Sequence, residues 1–251
     1  MIDEVGTLER PDGQHLAWRR VRGAGPTVVW LGGFKSDMAG TKAQALADWA
    51  IAKGRSYVRF DYLGHGQSSG AFESGTISRW REDALAVIDQ LTTGPLVLVG
   101  SSMGGWLSCL VATVRKPRIQ AMVLIAPAAD FTQKLMAPQM TASDRAALAK
   151  TGVWLRPSDY GAPYPIIAAL LEDGSKWSIL PGPVAIDCPV RILQGGADTD
   201  VPWRHALSLA GAISGPDVVF TLIRDGDHRL SRPQDIARMI TAVEEFADPS
   251  I

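Results

Sequence analysis

The segment Val97-Leu98-Val99-Gly100-Ser101-Ser102-Met103-Gly104-Gly105 constrains this chain more than any other. An apolar, β-branched run meets Gly-x-Ser-x-Gly, and the helical pattern Trp106-Leu107-Ser108-Cys109-Leu110-Val111-Ala112 follows without a linker. Gly-x-Ser-x-Gly alone is common. A strand directly before it and a helix directly after it make it a nucleophile elbow. In such a turn the serine takes a strained backbone conformation that lifts its hydroxyl above the sheet edge. The residues two before and two after must be small, because their backbones nearly touch, and Gly100 and Gly104 hold those places. The spacing predicts Ser102 as a nucleophile; the bland alternative is a Gly-rich turn without chemistry.

Around the elbow the chain alternates between two periodicities. Residues 14–21 alternate with period two, and Pro11-Asp12-Gly13 before them is turn chemistry, so 4–10 and 14–21 are expected to form an antiparallel hairpin. Thr27-Val28-Val29-Trp30-Leu31 is a continuous apolar run, and similar runs occur at 56–60, 96–100, 121–126, 190–194 and 217–223. Such runs suit strands buried on both faces. Between them lie helical patterns: Ile77, Trp80, Ala84, Leu85, Ile88 and Leu91 make one apolar stripe. Buried strands alternating with amphipathic helices predict a mostly parallel sheet covered on both sides. One interval breaks the rhythm. Between the strands ending near Ala126 and starting near Pro189 lies a stretch too long for a plain connection. We read 1–129 and 187–251 as a single α/β core, and 130–186 as a small helical lid inserted into it.

The composition excludes several classes. With 251 residues, 46% hydrophobic and 20% charged, the chain has the make-up of a soluble one-domain globule. A net charge of −1 with dispersed signs argues against a nucleic-acid or anionic-membrane face. No apolar stretch approaches a membrane span. The acidic start Met1-Ile2-Asp3-Glu4-Val5-Gly6 lacks the apolar region of a secretory signal, which gives a cytoplasmic expectation. Cys109 and Cys188 provide neither a disulfide framework nor metal-ligand spacing and read as buried reduced thiols.

A serine hydroxyl needs a base within hydrogen-bond reach, and that base needs an orienting acid. Two strand ends supply them. Gly195-Gly196-Ala197-Asp198-Thr199-Asp200-Val201-Pro202 follows the 190–194 run, and Arg224-Asp225-Gly226-Asp227-His228 follows the 217–223 run. Loops at the carboxyl ends of parallel strands gather on one rim, so Ser102, Asp198 and His228 can converge there. Of the four histidines, His15 is expected on the hairpin facing solvent, His65 in a structural glycine-rich turn, and His205 on a helix away from the chemistry. Asp200 is assigned as a helix cap, and Asp225 and Asp227 as shapers of the turn before His228. The oxyanion donors are assigned to the backbone N–H groups of Met103, after the nucleophile, and of Phe34, in Leu31-Gly32-Gly33-Phe34-Lys35. Met136, Trp154 and Tyr160, in the inserted stretch, are candidate substrate-binding residues; burial of the lid on the core explains such apolar residues equally well.

Elbow, acid and histidine together resemble the α/β-hydrolase superfamily over nearly the whole chain. Gly32-Gly33-Phe34-Lys35-Ser36-Asp37-Met38, Gly100 to Leu107, Gly152-Val153-Trp154, Cys188-Pro189-Val190-Arg191, Val201-Pro202-Trp203 and Gly226-Asp227-His228-Arg229 resemble one group within it. It is the group of the mitochondrial palmitoyl-protein thioesterases that also hydrolyse mycophenolic acid acyl-glucuronide. The resemblance implies an eight-stranded sheet and a Ser102–His228–Asp198 serine hydrolase. It implies cleavage of acyl esters or thioesters, on a small-molecule or S-acylated substrate, without cofactor or metal. Lacking a visible mitochondrial leader, the chain reads as a bacterial-type relative. A peptidase, lactonase or carbon–carbon hydrolase could use the same triad, and a non-catalytic ligand-binding protein could use the same fold. A dehalogenase would need an aspartate at the position of Ser102.

Overall fold

The computed structural model describes residues 2–158 and 161–247. In chain order the elements are β1 (Asp3–Glu9), β2 (His15–Val21), β3 (Ala24–Leu31), α1 (Thr41–Lys53), β4 (Arg55–Phe60), α2 (Ile77–Leu91), β5 (Leu96–Ser101), α3 (Met103–Val114) and β6 (Ile119–Ile125). There follow α4 (Ala142–Thr151), β7 (Val153–Ser158), β8 (Gly161–Ile167), α5 (Ala168–Ser175), β9 (Val190–Gly195), α6 (Trp203–Ala212), β10 (Val218–Ile223) and α7 (Pro233–Ala247). Eight strands form one sheet in the order β1-β2-β4-β3-β5-β6-β9-β10. The expected hairpin is there: β1 and β2 pair antiparallel from Asp3↔Val21 to Glu9↔His15. β2 also runs antiparallel to β4, and the other pairings are parallel.

The continuously apolar runs have a simple cause. Successive strand side chains point to opposite faces, and here both faces are covered. Val29, Leu31, Leu96, Leu98, Met122 and Leu124 enter one apolar cluster with residues of α2, α3 and α6. Their neighbours Val28, Trp30, Val97, Val99, Val123 and Ile125 enter a second cluster with α1 and α7. The run at 217–223 departs from this expectation. β10 is the edge strand, bonded only to β9 within the sheet, and Val219 and Leu222 stay 45% and 44% exposed. A sheet end has no further strand or second helix layer to hide its outer residues.

In α2 the predicted stripe faces inward: Ile77, Trp80, Ala84 and Ile88 are fully buried, while Leu85 and Leu91 pack at its margin. Thr76 caps the helix by accepting the Arg79 N–H at 3.2 Å. Trp80 donates its indole N–H to Leu63 O at 3.1 Å. Trp80→Ala would leave both a void and an unmade bond, and we expect a loss of about 3–5 kcal/mol in urea unfolding; a loss under about 1 kcal/mol would contradict this account of the core.

The inserted stretch contains the expected helical segments, α4 and α5, with short helical turns at 132–139. It also contains an antiparallel hairpin, β7–β8, which the sequence reading lacks. Trp154 pairs with Ile166, and both are buried, while the adjacent Leu155 is 64% exposed. Among the described residues no helix is long and apolar enough to cross a membrane.

Candidate active site

Ser102 stands where β5 passes into α3, as the residue before the helix, at φ 54° and ψ −118°. An L residue holds such a conformation only when its surroundings impose it. They do so through its own backbone: Ser102 N–H donates to Ile125 O at 2.9 Å, and Ser102 O accepts from Gly105 N–H at 2.9 Å and Ala128 N–H at 3.0 Å. The flanking glycines are obligatory. A Cβ on Gly104 would lie 1.9 Å from Leu31 O, and one on Gly100 would lie 2.4 Å from Gly104 O.

His228, in the loop after β10, places Nε2 3.2 Å from Ser102 Oγ and Nδ1 2.8 Å from Asp198 Oδ2. Asp198, in the loop after β9, is buried at 6% exposure. Its Oδ1 accepts the N–H groups of Asp200 (2.9 Å) and Val201 (2.8 Å), and its Oδ2 also accepts Gln194 Nε2–H at 3.1 Å. These donors suit a carboxylate and fix it in one orientation. Facing a carboxylate, Nδ1 carries the imidazole proton, so the Nε2 lone pair is turned to the serine hydroxyl. That arrangement can take a proton from Ser102 Oγ. Among the described residues, Asp198, Asp200 and His228 also form a cluster whose ligand atoms lie within 4.8 Å of one another. Both Asp198 oxygens are already engaged, Oδ1 by two backbone N–H groups and Oδ2 by His228 and Gln194.

The remaining expectations divide. Asp227 shapes the turn as predicted, its Oδ1 accepting Leu230 N–H at 2.9 Å, whereas Asp225 sits exposed on Arg232 at 2.7 Å. Asp200 does not cap α6. The residue before that helix is Pro202, there is no side-chain cap, and Asp200 lies too far upstream for one. Asp200 lines the cavity instead. His205 is half-buried, with Nε2 2.8 Å from Ala129 O. His15 is half-buried on the hairpin, where Ser69 holds its main chain, the Ser69 hydroxyl accepting the His15 N–H at 2.8 Å. Cys109 is wholly buried and its thiol is pushed up to about 12 by that burial; Cys188 is half-buried and pushed up to about 11. Both are free thiols, but only Cys109 is buried as expected; Cys188, just before β9, keeps part of its surface open. Gln194 is a further site residue that the sequence reading lacks; a polar residue closing an apolar strand is its only signal.

A cavity of about 660 Å³ opens over Ser102 and His228. Phe34 and Met103 line it, and the Gly32–Gly33 loop crosses the elbow so closely that a Cβ on Gly33 would lie 3.3 Å from Ser102 Cβ. Met103 is the first residue of α3, and first-turn N–H groups have no acceptor within their own helix. Phe131, Leu135 and Met136 supply an apolar side. Of the candidate substrate contacts, Met136 lines the cavity and Trp154 does not. Trp154 is 2% exposed inside the larger core cluster, where its pairing with Ile166 turns it inward. Tyr160 lies outside the described residues. Tyr164 lines the cavity unforeseen, its ring 6.1 Å from Phe34 and 4.6 Å from Lys35 Nζ.

Residues 26–169 match the profile of the Hydrolase_4 family, described as serine aminopeptidase, S33. The chain belongs to this family of α/β-hydrolases. The α/β-hydrolase is 36% identical to the mitochondrial palmitoyl-protein thioesterase ABHD10 of Bos taurus, over 97% of this chain and 80% of that protein. It is also similar to the crystal structure of a putative hydrolase from Agrobacterium vitis S4, with 45% identity, a TM-score of 0.95, and coverage of 99% of this chain and 100% of that one. The structure of mouse alpha/beta hydrolase domain-containing protein 10 aligns with a TM-score of 0.88 at 33% identity, covering 96% and 97% of the two chains. These likenesses agree with the group that the sequence motifs resemble.

Proposed function

We propose that this α/β-hydrolase cleaves acyl esters or thioesters through an acyl-serine intermediate. The observation that carries the reading is the file of hydrogen bonds from Ser102 Oγ through His228 to Asp198, at 3.2 and 2.8 Å. His228 Nε2 takes the Ser102 proton as Oγ bonds to the acyl carbon, and the carbonyl electrons move onto oxygen. The N–H groups of Met103 and Phe34 stabilise that oxyanion; a single donor of this kind contributes about 10²–10³ in kcat. The imidazolium, stabilised by Asp198, then protonates the departing sulfur or oxygen as the tetrahedral species collapses. Water enters, His228 takes its proton, and the acyl-serine is hydrolysed by the same steps to the free acid.

The similarity to palmitoyl-protein thioesterases supports a thioester or activated ester as substrate. The apolar side made by Phe131, Leu135 and Met136 supports an acyl chain rather than a small acid. The family description raises the alternative of an aminopeptidase. Around the cavity, however, Lys35, Lys42, Arg156 and Arg229 accompany the acids Asp37 and Asp200. A predominance of cations opposes the α-ammonium that an aminopeptidase must hold.

A matched series of p-nitrophenyl esters, acyl thioesters and aminoacyl p-nitroanilides tests the proposal. We expect kcat/KM on esters and thioesters to rise with chain length by up to about fourfold per buried methylene, with the anilides inert. Anilide turnover above that of the esters would replace this reading with the peptidase one.

A further inference from the structure

The sequence places His65 in a glycine-rich turn, and its main chain makes that turn. Its N–H donates to Tyr62 O at 2.9 Å, and its carbonyl accepts Ser68 N–H at 3.0 Å. The ring does something more. It is 4% exposed and held edge-on among Tyr62, Phe72 and Trp80, with centroids 5.8, 5.2 and 5.2 Å away. From there Nε2 accepts the backbone N–H of Lys35 at 3.2 Å, while Nδ1 lies 3.1 Å from Leu63 O. Both bonds form only when Nδ1 carries the proton and Nε2 is bare. Burial, with the Lys35 ammonium nearby, holds the ring below the usual histidine range and so favours this uncharged form.

Lys35 is the residue after Phe34, and it sits at φ 56° without being glycine. L side chains rarely adopt that region unsupported. A second prop comes from the same neighbouring loop: Asp61 Oδ1 accepts Met38 N–H at 2.7 Å, and Asp61 Oδ2 accepts Gln67 N–H at 2.8 Å. The loop that crosses the elbow is therefore held at Lys35 and at Met38 from one side.

We propose that His65 is a positioning residue: by accepting the Lys35 N–H it fixes the Phe34–Lys35 turn, so that the Phe34 amide stays aimed at the oxyanion formed over Ser102. The inference rests on the assignment of Phe34 N–H as an oxyanion donor in the proposed function. His65 touches no substrate and acts through the loop.

His65→Phe keeps an aromatic ring and removes the acceptor; His65→Gln keeps an amide oxygen that can accept. Reactive sites are counted by the end point of fluorophosphonate titration, and kcat is expressed per titrated site on p-nitrophenyl butyrate. His65→Phe is expected to lose about tenfold to a hundredfold in kcat, with KM changed less than about twofold, since the interaction matters in the transition state. His65→Gln is expected to regain most of that loss. An unchanged per-site kcat in His65→Phe, or equal losses in both variants, would overturn the proposal. Nitrogen-15 spectra of the wild-type histidines decide it even if neither variant folds: His65 must show the uncharged Nδ1–H tautomer, and an Nε2–H tautomer would overturn the bond to Lys35. Ser102→Ala, measured beside them, keeps the claims apart. An active Ser102→Ala removes the nucleophile assignment, whereas an inactive Ser102→Ala beside a wild-type-like His65→Phe removes only the bracing role.

Discussion

Ser102→Ala is expected to lower kcat on activated esters by about 10⁴–10⁶-fold, leaving the modest acceleration that oxyanion donors and binding supply alone. The loss is that large because the attacking oxygen itself is removed, while everything around it is left in place. His228 stays hydrogen-bonded to Asp198 at 2.8 Å, and the cavity of about 660 Å³ keeps its shape. Alanine also retains the Cβ that makes φ 54° unfavourable, and the backbone bonds from Ile125, Gly105 and Ala128 that impose this conformation are untouched. Stability should therefore stay within about 0.5 kcal/mol of wild type, so the lost turnover cannot be put down to unfolding. Steady-state kinetics on p-nitrophenyl butyrate with thermal unfolding of the same samples checks both halves. Residual activity within about tenfold of wild type would mean that another group attacks the carbonyl.

Asp198→Asn carries the second-largest effect, a fall of about 10⁴ in kcat, by a different route. The Asp200 and Val201 amides bind Oδ1, so an asparagine would keep its oxygen there. Its NH₂ would then occupy the Oδ2 position, facing the Gln194 Nε2 donor and His228 Nδ1. Two donors would meet at Gln194, and His228 could bond to the amide only by giving up its Nδ1 proton. The proton would move to Nε2, where it faces the Ser102 hydroxyl and cannot accept from it. The clash at a buried carboxylate site should also cost about 1–3 kcal/mol of stability. The kinetic loss should be almost wholly in kcat, because Asp198 lies beneath the imidazole and away from the bound acyl group. Wild-type kcat in a folded Asp198→Asn would show that the carboxylate does not orient the base.

How much of this was legible in the sequence follows from how local each signal is. The elbow was readable because Gly100 and Gly104 are forced by contacts within a few residues of Ser102 and with one neighbouring strand. The α2 stripe and the paired apolar phases of β3, β5 and β6 were readable because burial on two faces leaves a periodic record. Asp198 and His228 were findable as polar residues just beyond apolar strands. What escaped depended on tertiary position. An apolar run does not reveal whether its strand lies inside the sheet or at its edge, and β10 lies at the edge. The β7–β8 hairpin leaves only a weak trace: Pro157, Pro163 and Pro165 disfavour a helix, and a two-stranded hairpin has free edges that tolerate them. Trp154 is turned into the core by the pleat, while Tyr164, which carries no sequence signal for the site, lines the cavity. The ring bond from His65 to Lys35 joins residues thirty apart in sequence, and nothing local to either announces it.

The central claim is that Ser102 Oγ itself becomes acylated. The most direct measurement is to label the wild-type protein with a fluorophosphonate, digest it, and map the adduct by tandem mass spectrometry. A single phosphonyl group on Ser102, in proportion to the activity lost, is the predicted result. An adduct on Ser101, Ser108 or any other residue, or full inhibition with Ser102 unmodified, would contradict it.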